Sequence, residues 1–311
     1  MRSIHQGQPI LGNELLDAFR RSLGERGLSP VTARGYLHDL GRLRVWLEGE
    51  AGGKSRDLRR ITAVDLGSYR QHLLGAEHLQ AATINRKLQA IKTLVGWALD
   101  KGLVKENVAR AVRYVRVAGR LCPQGLAESE IQSLLRVAGQ TRHGLAKRNY
   151  ALIELLLETG LRVGEATDLR VADVDLHDRS GVVRVRECKG RKQRQVPLSS
   201  TARRALKLYL KDRESLRQED HLFLSERGGQ ALSLRTIQAT VSNLARRAKI
   251  TRFAVSANSL RDSFALRFLR RHPGKLVELA ALLGHESLDT TAVYIRTSAE
   301  DQTVDVEEGG E

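Results

Sequence analysis

The stretch GVVRVRECKGRKQRQVPL, residues 181–198, is where the hydrophobic period of the chain changes. Val183 and Val185 alternate with Arg184 and Arg186, and this two-residue period indicates a strand with one buried face. KGRK follows as a tight turn, and QRQVPL returns as a second strand. Since the surrounding segments have a helical period, the predicted fold class is mostly α with a small antiparallel β-sheet.

Helical patterns continue on both sides of this hairpin. LAESEIQSLL (126–135) carries acids in its first turn, as the helix dipole favours, and KRNYALIELLLETG (147–160) is predicted as a buried helix that ends at Gly160. After the hairpin, the period predicts helices over about 200–212, 233–249, 258–271, 275–283 and 288–296. Residues 126–297 are therefore predicted to form one α-rich domain.

The first part of the chain, residues 1–115, is predicted to be a separate domain of four helices. The first helix covers roughly 10–26, and Ser29 with Pro30 supplies an N-cap and a first helical residue for the second. Thr62 can cap the third helix. The fourth has one apolar stripe, formed by Ile84, Leu88, Ile91, Val95 and Ala98.

Two segments outside these domains differ in composition from the rest. RYVRVAGRLCPQG (113–125) breaks the helical period with one proline and two glycines, and we predict a basic linker over 116–125. The last segment, SAEDQTVDVEEGGE (298–311), holds six acids and no Lys or Arg, and is predicted as an acidic tail.

The net charge points to a polyanionic partner. The chain has 311 residues, with 52 Lys+Arg against 36 Asp+Glu, and a formal net charge of +16. Because the tail contributes six negative charges and no positive ones, residues 1–297 carry +22. A body this basic attracts nucleic acid, and charge spread along the whole chain favours that partner over a small acidic substrate.

Several classes of protein are excluded by composition. The apolar run ALIELLL (151–157) is too short for a membrane span and is broken by Glu154, and the start of the chain lacks the apolar stretch of a signal peptide. Cys122 and Cys188 alone form neither a disulfide framework nor a zinc site. The chain has no GxxxxGK[ST] loop and no HExxH. We therefore expect a cytoplasmic protein that faces DNA or RNA, without a membrane.

The candidate catalytic positions are Arg, Lys, His and Tyr, without a paired set of carboxylates. Such a set suits phosphodiester chemistry that needs no metal and no cofactor. The transition state carries extra negative charge on its equatorial oxygens, and guanidinium groups can bind those oxygens bidentately. A tyrosine hydroxyl can attack phosphorus as a nucleophile and keep the energy of the broken bond in a phosphotyrosine ester.

Four segments together resemble the motifs of the tyrosine recombinase (phage integrase) family, with its Xer-like and mobile-element members. They are TGLRVGEATDLRVADVD (159–175) for the first arginine box, ECKGRKQRQVPL (187–198) for the lysine hairpin, NSLRDSFALRFL (258–269) for the second arginine box, and LLGHESLDTTAVYIR (282–296) for the histidine–tyrosine box. GLSPVTARGYLHDLGRL (27–43) is similar to the family's helical, SAM-like core-binding domain. Each motif alone is weak, but four in order make a strong signal over nearly the whole chain.

The resemblance implies a role for each matching residue. Arg162 and Arg261 would bind the non-bridging oxygens of the scissile phosphate. Tyr294 would attack phosphorus to give a 3′-phosphotyrosyl link and a free 5′-hydroxyl. Lys189 would protonate the departing 5′-oxygen, and His285 would donate a hydrogen bond to the phosphate or near the nucleophile.

Two further positions belong to this set, and one of them departs from the family pattern. Glu165 would orient its neighbours rather than react. The second arginine box usually reads His-x-x-Arg, and here Asn258 takes the place of the histidine. An asparagine amide can donate a hydrogen bond to a phosphate oxygen, but it cannot shuttle a proton. We expect a working enzyme, since the other positions fit.

Simpler structural interpretations exist for each residue taken alone. Tyr294 could pack its ring on an amphipathic helix, Arg162 could be a charge at a helix end, and His285 could cap a turn. Lys192 rivals Lys189 as the general acid. Surface solvation also explains any single member of the predicted DNA-contact set, which is Arg86, Lys87, Arg184, Arg186, Arg191 and Lys192.

The predicted function is site-specific recombination of double-stranded DNA, as an integrase, resolvase or transposase. The resemblance implies a clamp around the duplex, a dimer on each site, a tetramer in synapsis, and a possible partner recombinase. It also implies that the acidic tail docks on a neighbouring protomer, unless the tail stays disordered. An alternative is a DNA-binding regulatory or architectural protein that lost efficient cleavage through Asn258. A third is a relaxing enzyme similar to the type IB topoisomerases.

Overall fold

The computed structural model describes residues 12–50, 57–116, 123–140, 145–186, 193–213, 215–226 and 229–295. Contacts between backbone segments divide the chain into two compact units, Met1–Arg120 and Leu121–Glu311. The predicted tight turn KGRK and the acidic tail lie outside the described residues, as does most of the predicted linker. Within the described parts of the chain, none of the helices has both the length and the apolar character that crossing a membrane takes.

The first unit contains four α-helices. They are α1 (Gly12–Glu25), α2 (Pro30–Glu50), α3 (Ala63–Gly75) and α4 (Ala81–Asp100), with short 3₁₀ turns at Leu58–Arg60 and Val108–Arg110. The predicted caps are confirmed. Ser29 Oγ accepts from the Thr32 N–H at 3.1 Å, and Thr62 and Asp65 form a reciprocal capping box at the start of α3.

The core of the first unit is built on the predicted stripe of α4. All five residues of that stripe are buried, and they belong to one apolar cluster with Phe19 of α1 and Leu40 of α2. Trp97 packs on Phe19 with ring centroids 5.3 Å apart. The four amphipathic helices thus bury their apolar faces on one another, which stabilises this unit through the hydrophobic effect.

The second unit is also mostly helical. Its helices are α5 (Glu128–Gly139), α6 (Leu145–Thr159), α7 (Val163–Asp168), α8 (Ser200–Lys211), α9 (Leu234–Arg247), α10 (Ala257–Arg271), α11 (Leu276–Leu283) and α12 (residues 288–295). The buried run 151–157 makes α6 the centre of this unit, where it packs against α5, α8 and α10. Each helix predicted here from the period is present, while the short α7 was not predicted.

A three-stranded antiparallel sheet interrupts these helices. Its strands are β1 (Val174–Leu176), β2 (Gly181–Val185) and β3 (Arg194–Pro197), in the order β1-β2-β3. Val183 pairs with Val196, and both valines are buried, as the alternation predicted. The predicted hairpin of β2 and β3 is confirmed. The strand β1 was not predicted, because its three residues, VDL, are too few to show an alternating pattern. Because α11 packs against β3, the first residue of β3 comes close to the end of α11.

Candidate active site

Three guanidinium groups converge on the carboxyl end of α11. They come from Arg162 before α7, Arg194 at the start of β3 and Arg261 in α10, and each donates to a backbone carbonyl within 282–284. The carboxyl end of a helix carries partial negative charge, so the end of α11 favours cations. Residues far apart in the sequence therefore meet at one place.

Arg162 occupies the N-cap position of α7 in an extended conformation. Its Nη1 donates to the carbonyl of Leu283 at 3.1 Å, and its Nη2 donates to that of Gly284 at 3.0 Å. The side chain is still 27 % exposed. Arg162 is thus anchored along one edge, while part of it remains open to solvent.

Arg261 is more deeply enclosed, with 6 % of its surface exposed. Its guanidinium donates to the carbonyl of Gly160 and, at 2.7 Å, to that of Leu283. Burial and the neighbouring Arg162 lower the pKa of Arg261 to about 10. Arg261 therefore stays protonated at neutral pH, although its surroundings disfavour the charge.

Two glycines in the left-handed conformation end the helices beside these arginines. Gly160 ends α6 with φ +60°, and a Cβ there would lie 2.5 Å from Cδ1 of Phe264. Gly284 ends α11 with φ +62°, and a Cβ there would lie 2.8 Å from Nη1 of Arg194. Both positions need glycine for the backbone and for space, and their carbonyls accept hydrogen bonds from the guanidinium groups.

Glu165 connects two of the arginines. Its carboxylate accepts from Nη1 and Nη2 of Arg194 at 3.0 and 2.8 Å, and from Nη1 of Arg162 at 3.1 Å. Burial alone would raise the pKa of Glu165, but the hydrogen bonds from Arg194 and from the Arg162 N–H bring it below its ordinary value. Glu165 is therefore ionised and holds both guanidinium groups, in line with the orienting role that the resemblance implies.

His285 lies against Arg261, and its hydrogen bonds fix its tautomer. Nε2 is 2.9 Å from Nη2 of Arg261, which can only donate, so Nε2 accepts. Nδ1 then carries the proton and donates to Oγ1 of the buried Thr291 at 2.8 Å. Burial, followed by Arg261 and Arg162, lowers the pKa of His285 to about 4, so the ring is neutral at pH 7.

Tyr294 is carried by α12 and is almost fully buried. Its hydroxyl donates to Oδ1 of Asp262 at 2.8 Å. Burial and then Asp262 raise the pKa of Tyr294 far above its ordinary value, and the positive charges of Arg261 and Arg162 act in the opposite direction. Both predicted phosphate-binding arginines therefore lie within electrostatic range of the hydroxyl.

The charges of this cluster do not balance. Three guanidinium groups, those of Arg162, Arg194 and Arg261, are accompanied by the two carboxylates of Glu165 and Asp262, so positive charges exceed negative ones by one. The lowered pKa values of Arg261 and His285 have neighbouring cations among their causes. A bound phosphate, with negative oxygens, would relieve this repulsion.

The other predicted site residues lie elsewhere or outside the described residues. Asn258 is exposed on the first turn of α10, and its side chain forms no hydrogen bond with the residues that the structure describes. Lys189, Arg191 and Lys192 fall in 187–192, outside the described parts of the chain.

Four arginine and lysine side chains of the predicted DNA-contact set are described. On α4, Arg86 and Lys87 both contact the buried carboxylate of Asp39; the Arg86 side chain is 50 % exposed and that of Lys87 only 9 %. On β2, Arg184 donates to the carbonyl of Ala172 at 3.0 Å. The remaining one, Arg186, donates to Asp173 at 2.7 Å and is half exposed. Lys87 therefore has the least surface available to a partner.

Three side chains at this site were not singled out from the sequence. Arg194 had a usable signal, because it is a charged residue at the start of a predicted strand, next to the predicted turn. Asp262 directly follows Arg261, but only the fold shows that it meets Tyr294. Thr291 lies on α12, and its contact with His285 depends on how α12 packs.

Two family models match the chain. That of the Phage integrase family matches residues 124–301, and that of the phage integrase N-terminal SAM-like domain matches residues 16–102. The tyrosine recombinase XerD of Mycobacterium tuberculosis (strain ATCC 25618 / H37Rv) is 37 % identical over 87 % of this chain and 88 % of its own. The tyrosine recombinase XerC of Lacticaseibacillus casei (strain BL23) is 32 % identical over 87 % of this chain and 89 % of its own.

Solved structures share the fold at lower identity. The XerH site-specific recombinase, bound to a palindromic difH substrate after cleavage, superposes with a TM-score of 0.74 at 19 % identity over 100 % of both chains. A λ integrase dimer bound to a COC′ core site gives a TM-score of 0.70 at 17 % identity, over 89 % of this chain and 95 % of that one. At these identities the likeness establishes the fold.

Proposed function

Since the chain belongs to the phage integrase family and is a site-specific recombinase of the tyrosine type, we propose that Tyr294 is its nucleophile and that double-stranded DNA is its substrate. The observation that carries this assignment is the excess of positive charge in this cluster, where three guanidinium groups stand with two carboxylates. Two of those cations act on the Tyr294 hydroxyl. A scissile phosphate in this cluster would supply the missing negative charge next to the attacking group.

The chemistry assigns one task to each residue. Arg162 and Arg261 bind the non-bridging oxygens of the phosphate, and their charge stabilises the pentacoordinate transition state. The oxygen of Tyr294 forms a bond to phosphorus while the bond to the 5′-oxygen breaks. Lys189 protonates that oxygen. Attack by a free 5′-hydroxyl of another strand reverses the step, so strand exchange needs neither ATP nor a metal.

The assembly follows from the partners named for related structures. XerH was solved on its difH substrate and λ integrase as a dimer on its core site. We propose that this chain likewise binds as a dimer on each DNA site and as a tetramer in synapsis, in the cytoplasm. We also propose residues 1–115 as the helical DNA-binding domain, 126–297 as the catalytic domain, and 116–125 as the linker between them.

A covalent-adduct assay tests this function. Binding sites are first selected from a randomised duplex library with Tyr294→Phe, and a nick is then placed in the selected site so that a short product diffuses away. Wild type should form a protein–DNA adduct that persists on a denaturing gel, and Tyr294→Phe should bind the same DNA without forming one. Tyr150→Phe is the matched control and should form the adduct.

Three results would contradict the proposal. An adduct that persists in Tyr294→Phe would assign the nucleophile to another residue. Tight binding by wild type without any adduct would support the regulatory alternative instead. Relaxation of a plasmid that lacks the selected site would favour the topoisomerase-like activity.

A further inference from the structure

The hydroxyl of Tyr294 already has a proton acceptor in contact with it. The acceptor is Asp262, whose Oδ1 lies 2.8 Å from the hydroxyl oxygen. Asp262 immediately follows Arg261 on α10, while Tyr294 comes from α12, so tertiary packing creates the contact. A carboxylate at this distance from a hydroxyl is within reach of its proton.

The other candidate acceptors form hydrogen bonds with other groups or cannot take a proton. Asn258 stands where the family usually has histidine, and its amide does not accept a proton. His285 uses Nε2 on Arg261 and Nδ1 on Thr291, so neither ring nitrogen bonds to Tyr294. The position that usually offers a titratable group is therefore filled by an amide, and a carboxylate stands beside the nucleophile instead.

We propose that Asp262 is the general base that activates Tyr294, an inference that rests on the proposed function above. As the bond from the Tyr294 oxygen to phosphorus forms, the hydroxyl proton passes to Oδ1 of Asp262. The bond from phosphorus to the 5′-oxygen breaks, and the leaving oxygen takes its proton from the ammonium of Lys189. In the rejoining step the two proton transfers run in reverse.

The surroundings of Asp262 suit this task. Burial raises the pKa of Asp262, although the Tyr294 hydroxyl, Arg261 on the same helix and the backbone N–H of Gln124 all oppose the shift. A higher pKa makes the carboxylate a stronger base than one on the surface. Burial also raises the pKa of Tyr294, so free tyrosinate is costly and proton transfer must accompany attack.

The decisive test compares Asp262→Asn with Asp289→Asn on the nicked duplex that carries the selected site. Both variants remove one negative charge, but Asp289 is exposed and its side chain lies outside the proposed machinery. Asp262→Asn should slow formation of the adduct by about 100-fold or more, the usual loss when a general base is removed. Asp289→Asn should cut at the wild-type rate.

A substrate with sulfur in place of the bridging 5′-oxygen separates base from acid. A thiolate leaves without protonation, so this DNA should rescue Lys189→Met, while the slow rate of Asp262→Asn should persist. The pH profile gives a second readout. The wild-type rate should fall as acid protonates Asp262, and Asp262→Asn should lack that step. Asp262→Glu, which keeps a carboxylate, should cut faster than Asp262→Asn.

Three outcomes would overturn the assignment of Asp262. The first is a rate for Asp262→Asn that is less than tenfold below that of Asp289→Asn. The second is a faster rate for Asp262→Asn, because the hydrogen bond from Tyr294 to Asp262 would then inhibit attack instead of promoting it. The third is an unchanged pH profile. Circular dichroism verifies that Asp262→Asn is folded. An adduct in Tyr294→Phe would refute the proposed function itself, which distinguishes the two failures.

Discussion

Arg194 places its two terminal nitrogens 3.0 and 2.8 Å from the two carboxylate oxygens of Glu165, and both side chains are more than nine-tenths buried. The pair joins the sheet to the start of α7. Since the same carboxylate accepts from Arg162, Arg194 helps to set where Arg162 lies. Arg194, which is buried, can thus position Arg162, the residue that we propose binds the phosphate.

Replacing Arg194 should therefore damage both stability and cleavage. Arg194→Met leaves Glu165 buried with one partner fewer, and breaking a buried ion pair typically costs about 3–5 kcal/mol. We expect the free energy of unfolding to fall by about 3 kcal/mol, measured by urea denaturation. Circular dichroism is the suitable signal, because both tryptophans, Trp46 and Trp97, lie in the first unit.

A double-mutant cycle assigns that loss to the pair. Glu165→Gln combined with Arg194→Met should be more stable than the sum of the two single losses implies, because the uncompensated buried charge is gone. Additive losses would show that Arg194 stabilises the fold through other contacts, such as its hydrogen bond to the carbonyl of Leu282 at 2.7 Å.

Gly284→Ala tests how tightly the loop after α11 holds these arginines. An alanine there meets a left-handed backbone and places Cβ 2.8 Å from Nη1 of Arg194. Gly274→Ala is the matched control, since φ is +79° and a Cβ there has no described atom within 4 Å. We expect Gly274→Ala to lose about 1 kcal/mol of stability and Gly284→Ala roughly 1 kcal/mol more.

Adduct formation supplies the second measurement for this pair of glycines. The Gly284 carbonyl accepts from Arg162, so Gly284→Ala should slow cleavage at least tenfold, while Gly274→Ala should leave the rate unchanged. Equal rates for the two variants would show that the guanidinium groups tolerate a displaced loop.

Much of the fold could be predicted from local patterns. The alternation at Val183 and Val185, the caps at Ser29 and Thr62, and the stop at Gly160 are each decided by a few neighbouring residues. β1 and α7 were not predicted, because their three and six residues are too few to display a hydrophobic period. These short elements are therefore determined by tertiary packing rather than by a local sequence pattern.

The sequence predicted less of the site than of the fold. Arg162, Arg261, His285 and Tyr294 were predicted through motif resemblance, and the structure shows what each of them contacts. Contacts between distant segments have no local signature, so Arg194 with Glu165 and Asp262 with Tyr294 emerged only from the folded chain. The contact of Asp262 with Tyr294 supplies a different proton acceptor, so the exchange of histidine for Asn258 need not imply a loss of cleavage.

The stability of the second unit should fall in mild acid because of His285. The unfolded ring takes up a proton near pH 6.5, whereas in the folded chain its pKa is about 4. Between these values the unfolded state binds more protons, so the free energy of unfolding decreases as pH falls from 6.5 towards 4. Solvent screening makes this change in the free energy of unfolding smaller than the full difference between the two pKa values implies.

Urea denaturation at pH 7 and pH 5 measures this dependence. His285→Gln should flatten the change in stability between the two pH values, while the exposed control His78→Asn should keep it. The same acid sensitivity in wild type and His285→Gln would assign the effect to other groups.

Arg86 and Lys87 should separate DNA binding from stability. Both contact Asp39, but only Arg86 has half of its side chain exposed. Arg86→Met should weaken binding to the selected duplex and reduce the slope of log affinity against log salt by up to about one. Lys87→Met should leave that slope unchanged and lower the stability of the first unit, followed by tryptophan fluorescence. A reduced slope in Lys87→Met would place its ammonium at the DNA instead.

Restoring the histidine of the family pattern should gain little while Asp262 is present. Asn258→His adds a group that can accept a proton at an exposed position one helical turn before Arg261. If Asp262 already takes the proton of Tyr294, single-turnover cleavage should stay within about threefold of wild type at pH 7. Asn258→Gln, which cannot accept a proton, serves as the control for size and should behave alike. A tenfold gain confined to Asn258→His would show that proton transfer limits the natural enzyme and that the exchange of histidine for asparagine costs rate.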